Sequence, residues 1–116
     1  MFDERTNGAS SNRARDFGIA VERDVERARI RIFGELDLST APELNRVLDE
    51  LNGDYAHVLL DLDGLEFMDS TGLAVIVHAE LLASRNGQRL TIRCNSPAVR
   101  RLFAVTGLKD ELVFDP

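Results

Sequence analysis

The run Asp69-Ser70-Thr71-Gly72 places a carboxylate, two hydroxyls and a glycine side by side. Ser70 and Thr71 can each accept a phosphoryl group. Asp69 can turn onto the backbone as a helix cap, or orient the Ser70 hydroxyl. Gly72 removes side-chain bulk, so another backbone can approach closely. The apolar stretch Val58-Leu59-Leu60 precedes this run, and the apolar stretch from Leu73 to Val77 follows it. The four residues therefore fall where a buried strand gives way to a helix. A helix start has amide N–H groups without helical partners. Its dipole adds about half a positive charge there, and a phosphoserine carries about -1.5 to -2 at neutral pH. The helix start is thus a favourable seat for phosphate. Phosphorylation there alters charge and shape without unfolding the domain, which suits a reversible switch of partner binding. Asp-Ser-Thr is equally ordinary capping chemistry, so these residues alone leave both readings open.

The flanking chain predicts the elements that hold this run. Phe17, Ile19 and Val21 alternate as one strand, Asp24 marks a turn, and Ala28, Ile30 and Ile32 alternate as a second strand, giving a hairpin. Thr40-Ala41-Pro42-Glu43 has the pattern of a capping box. Ala41, Leu44, Val47, Leu48 and Leu51 continue at helical spacing until Asn52-Gly53. His57 to Leu62 is nearly all apolar, as expected of a strand covered on both faces, and Asp63-Gly64 reads as a turn. The second helix is expected from about Ser70 to Arg85, its first half apolar all round and therefore deeply buried. Leu90, Ile92 and Cys94 alternate as another strand. Ser96-Pro97 starts a third helix, with Ser96 as cap, and Gly107 ends it, Leu108 then packing on Phe103. Leu112-Val113-Phe114 is a short apolar tail, either strand or docked coil. The order β-β-α-β-α-β-α implies an α/β fold with a mainly parallel sheet of four to five strands and an N-terminal hairpin.

Composition limits the functional classes. With 116 residues the chain makes one small domain, 17–116, behind a polar tail, 1–16, read as mobile. The net charge of -6 disfavours nucleic acid as a partner. Cys94 is the only cysteine, so no internal disulfide or cysteine-based metal cluster forms, and its alternation with Leu90 and Ile92 marks a buried thiol. His57 opens a strand and His78 lies mid-helix, without metal-ligand spacing. Ser70 lacks the Gly-x-Ser-x-Gly elbow of a hydrolase. Arg100-Arg101 reads as a solvated helix face. The apolar runs are too short to span a bilayer, and Met1-Phe2-Asp3-Glu4-Arg5 lacks the apolar stretch of a signal peptide. No membrane association, metal, cofactor or catalytic residue is expected.

Three stretches give the chain a resemblance to the STAS-domain anti-sigma factor antagonists. They are Gly34-Glu35-Leu36-Asp37-Leu38-Ser39-Thr40-Ala41, then Leu60-Asp61-Leu62 with Phe67-Met68-Asp69-Ser70-Thr71-Gly72-Leu73, and finally Ser96-Pro97-Ala98-Val99-Arg100-Arg101-Leu102-Phe103 with Thr106-Gly107-Leu108. The resemblance runs from about Phe17 to Phe114. It implies a bacterial, cytoplasmic regulator of transcription in a stress response, with no catalysis of its own. On that analogy the unphosphorylated protein binds an anti-sigma factor that is itself a serine kinase with a GHKL-type ATP site, and a sigma factor is released. The kinase phosphorylates Ser70 and binding ends; a PP2C-type phosphatase resets the switch. Asp37, Asp69, Ser70, Thr71 and Gly72 form the implied partner-binding surface, with Asp37 beside Ser70. Thr71 is the lesser candidate for phosphorylation. The runner-up is a STAS scaffold or sensor subunit of a stressosome-like or transporter-associated assembly.

Overall fold

Alternation of apolar and polar residues builds the sheet. The structure, a computed structural model, describes residues 17–108 and 112–115. The expected mobile tail, 1–16, lies outside the described residues. Strands β1 (Gly18–Arg23) and β2 (Arg27–Leu36) form the expected hairpin. Helix α1 (Ala41–Leu51) leads to β3 (His57–Met68), α2 (Ser70–Arg85) to β4 (Arg89–Arg93), and α3 (Pro97–Thr106) follows. The sheet order is β1-β2-β3-β4, with β2, β3 and β4 parallel. Both crossovers step the same way along the sheet, so their shared handedness puts α1 and α2 on one face.

That face carries the core. Ala28, Ile30, Ile32 and Leu36 of β2 point into it, beside Val58 and Leu60 of β3 and Leu90 and Ile92 of β4. Leu44, Ile76 and Phe103 bring the three helices onto the same cluster. The tail docks on the outer edge of β4. Phe114 pairs in parallel with Ile92, and its ring meets Phe103 edge-on at 5.3 Å between centroids. Leu108 packs against the core, and Gly107 ends α3 at φ 78°, a left-handed conformation that glycine adopts freely.

Four expectations need correction. Asp63-Gly64 is not a turn, because β3 runs through it to Met68. The register with β2 shifts there instead, between Arg31 and Phe33 and again between Gly34 and Glu35. Gly64 is required because the Phe33 ring lies on it: a Cβ would meet the ring at 2.6 Å and the Ile32 carbonyl at 3.0 Å. The second face of β3 is not covered by helices. Asp61 is buried there, at 4% exposure, under its ion pair with Arg29 at 2.7 Å. The first half of α2 is not buried all round: Leu73 and Ile76 are buried, Val75 and Val77 half-buried and Ala74 exposed. The capping box at Thr40 does not form. The Thr40 hydroxyl donates back to the Glu35 carbonyl at 2.8 Å and accepts the Asp37 amide at 2.9 Å, so it stitches the β2–α1 loop.

Candidate functional site

The C-terminal ends of β2 and β3 set the site. Leu36 and Met68 are register partners, and the Asp69 amide donates to the Leu36 carbonyl at 3.1 Å. The loops that follow, starting at Asp37 and Asp69, therefore leave the sheet side by side.

Asp69 is the N-cap of α2. Its extended backbone, φ -103° and ψ -174°, lets Oδ1 accept the Thr71 amide at 2.9 Å and the Gly72 amide at 3.1 Å. Ser70 is the first residue of α2 and is exposed. Because Asp69 already takes two first-turn amides, a phosphate on Ser70 would meet fewer free donors than the bare sequence implies. It would project into solvent from a helix start already capped.

Gly72 is buried and sits on the strand ends. A Cβ there would lie 2.7 Å from Leu36 Cγ and 3.0 Å from Met68 Cγ. The glycine is what lets α2 begin so close to the sheet. Thr71 is half-buried between this turn and a groove along α1.

Asp37 closes the neighbouring loop. Its Oδ1 accepts the Ser39 hydroxyl at 2.8 Å, the Ser39 amide at 3.0 Å and the Thr40 amide at 3.2 Å. The Ser39 hydroxyl, aided by these amides, holds the Asp37 carboxyl below its usual range against the opposing effect of burial. Both carboxylates thus serve their own turns, while Ser70 is exposed.

The other residues considered from sequence lie apart from this end. His57 shares a 2.8 Å hydrogen bond with Thr91, and burial followed by the charges of Arg89 and Arg27 lowers its pKa. His78 is exposed on α2. Cys94 is buried, which pushes its thiol pKa up. Sequence reasoning missed Leu38, 74% exposed directly after Asp37, and the partly uncovered flank of α2 at Ala74 and Val75. The signal was present: a leucine inside a polar loop, and a helix half with more apolar residues than one buried face needs.

Residues 19–114 match the family model described as "Mlab, STAS domain". A mixed four-stranded sheet with an N-terminal hairpin, three helices and Asp-Ser-Thr-Gly at the second helix start define that class. The chain belongs to the STAS-domain family of anti-sigma factor antagonists. It is 38% identical over 82 residues to the anti-sigma-B factor antagonist of Staphylococcus aureus, covering 70% of this chain and 76% of that one. Its fold is similar to an anti-sigma factor antagonist from Mycobacterium paratuberculosis, with TM-score 0.79 and 24% identity over 87% of this chain and 86% of that one. It is also similar to the anti-sigma factor antagonist SpoIIAA in its unphosphorylated form, with TM-score 0.72 and 22% identity over 85% of this chain and 89% of that one. The phosphorylated form, described as a Bacillus cell fate determinant, gives TM-score 0.68 at 22% identity, over 85% of this chain and 92% of that one. Among the described residues no helix is long and apolar enough to cross a membrane.

Proposed function

We propose that this protein is an anti-sigma factor antagonist switched by phosphorylation of Ser70. Unphosphorylated, it binds an anti-sigma factor that is a GHKL-type serine kinase, and a sigma factor is freed for RNA polymerase. Phosphorylation ends the binding, and a PP2C-type phosphatase restores it. This places the switch in the cytoplasm and gives the chain itself no catalytic role. The partner surface is Asp37, Asp69, Ser70 and Thr71, with Gly72 buried beneath them to seat the helix start.

The observation that carries this reading is the division of labour at α2. Asp69 does the capping, so the exposed Ser70 is not needed to start the helix. A hydroxyl with that freedom can be modified while the fold stays intact. The added charge then lies next to the Asp69 carboxylate and disfavours a partner packed on this end by repulsion and desolvation.

The test is phosphopeptide mapping after incubation with ATP and the GHKL anti-sigma kinase encoded in the same genome. One phosphoryl group on Ser70, absent in Ser70→Ala, is the expected result. Ser70→Ala should bind the kinase persistently, and Ser70→Asp should bind at least about tenfold more weakly, a loss of about 1.4 kcal/mol. A folded protein left unmodified by that kinase would favour the scaffold role instead.

A further inference from the structure

The sheet face turned away from the core carries its charge in rows. Ala28, Ile30 and Ile32 of β2 point into the core, so Arg27, Arg29 and Arg31 point to the other side. On β4, Leu90 and Ile92 face the core, and Arg89, Thr91 and Arg93 alternate with them. Most of these arginines are matched by acids. Arg29 pairs with Asp61 at 2.7 Å, and Arg31 approaches Glu22 at 3.9 Å. Arg93 pairs with Asp63 at 2.9 Å and with Asp115 at 3.6 Å. Arg27 and Arg89 have no ion pair among the described residues. In a chain of net charge -6 they form a local excess of positive charge.

The two unmatched arginines flank one histidine. Arg27, His57 and Arg89 are register partners on three adjacent strands. Strand spacing sets the two arginine Cα atoms about 10 Å apart, with His57 between them. Burial lowers the His57 pKa most, and the charges of Arg89 and Arg27 lower it further. Asp115, held by Arg93, acts the other way. Both arginines are therefore close enough to act on the ring. Thr91, 6% exposed, holds His57 Nε2 at 2.8 Å. That contact orients the ring and leaves Nδ1 without a protein partner among the described residues. Beside His57 an open cavity of about 330 Å³ lies over Arg23, Arg27 and Leu59. The two acids on its wall are engaged elsewhere. Asp24 Oδ1 accepts the Glu26 and Arg27 amides, both at 3.1 Å, and Glu22 faces Arg29 at 4.0 Å and Arg31 at 3.9 Å.

We propose that Arg27, His57 and Arg89 form a binding site for a phosphoryl oxyanion, either free phosphate or a small phosphate monoester. A tetrahedral oxyanion presents oxygens in several directions. Two planar guanidiniums and one ring N–H, each from a different strand, can each take one. The half-buried Leu59 gives the cavity an apolar wall for an organic group attached to the phosphate. The site lies where β3 begins, at the other end of that strand from Ser70, so it is separate from the proposed switch.

The chain has two histidines, His57 and His78, so the full-length protein carries its own internal reference. The experiment follows both ring signals by NMR through a pH titration, first in sodium chloride and then in inorganic phosphate or phenyl phosphate at matched ionic strength. A bound dianion should raise the proton affinity of His57 about tenfold, while His78, exposed on α2, stays unchanged. Arg27 and Arg89 are exposed, so Arg27→Gln and Arg89→Gln should fold as wild type. Each should bind phosphate about tenfold more weakly, read from the His57 shift against phosphate concentration. Arg101→Gln, on the exposed face of α3, is the control and should bind as wild type. Tighter binding of phenyl phosphate than of phosphate would assign a monoester lying on Leu59, and equal binding would assign free phosphate. The same His57 titration in chloride and in both phosphates would overturn the site, as would full binding by both arginine variants.

Discussion

Helices α2 and α3 both leave the end of a parallel strand, and both carry a serine at their start, yet the two serines have different freedom. Ser96 is itself the N-cap of α3, but its side chain makes no capping hydrogen bond. Pro97 follows it, and proline has no amide N–H to satisfy. Helix α1 is similar: Pro42 lies in its first turn, and Thr40 caps nothing with its side chain. Helix α2 has no proline at its start, and Asp69 supplies the side-chain cap. A helix lacking first-turn proline leaves more donors unpaired, so a cap matters more. Once the residue before it does that work, Ser70 is released to solvent. The comparison teaches that the serine proposed for phosphorylation is one position inside the cap, where its side chain is not used to start the helix.

The third helical position sharpens the contrast most. Helix α3 has Val99 there, 1% exposed, while α2 has Gly72 against Leu36 and Met68. Gly72→Val would give α2 the residue α3 carries, with its Cβ inside contact distance of both side chains. Overpacking of this kind costs about 1–3 kcal/mol. Denaturant titration should show the midpoint fall without a change in slope. An unchanged midpoint would mean that α2 can lift from the strand ends, and that the close approach is not fixed by glycine.

A smaller difference separates the caps. Asp69→Ala should cost about 1 kcal/mol, because the Thr71 and Gly72 amides lose their acceptor. Ser96→Ala should stay within about 0.5 kcal/mol, since its side chain caps nothing. Thermal melts of the two variants side by side decide this. Equal losses would remove the basis for treating the two helix starts differently.

Much of this was readable from residue order. Alternation at Ile30 and Ile32, helical spacing from Leu44 to Leu51, and Gly107 past the end of α3 located the elements, because period and terminators are local properties. Ser70 opening α2 was readable for the same reason. What failed depended on partners distant in sequence. Asp63-Gly64 has turn composition, but pairing with β2 carries β3 through it, and the Phe33 ring occupies the space the glycine leaves. Thr40 and Glu43 have capping spacing, but the Glu35 carbonyl and the Asp37 amide claim the Thr40 hydroxyl first. The apolar first half of α2 predicted burial on every side. Sequence periodicity does not reveal that the neighbouring helix stops short of covering Ala74.

The start of α1 offers the smallest effect, and pH reaches it. Asp37 takes over the loop that Thr40 was expected to cap, and the Ser39 hydroxyl helps keep its carboxyl below the ordinary value of 3.8. A carboxyl whose pKa is lower folded than unfolded favours the fold when ionised. That contribution is fully present above the unfolded value and is lost as pH falls through the folded one. Asp37→Asn keeps an acceptor oxygen but has no charge to lose. The stability gap between wild type and Asp37→Asn should therefore be small and constant near neutrality, and should close progressively below about pH 4. Ser39→Ala should narrow the gap at neutral pH, because it removes the largest contribution to that shift. Urea midpoints for the three proteins from pH 7 to pH 3 test this directly. A gap that persists unchanged at pH 3 would mean that the charge of Asp37 is not what stabilises this loop.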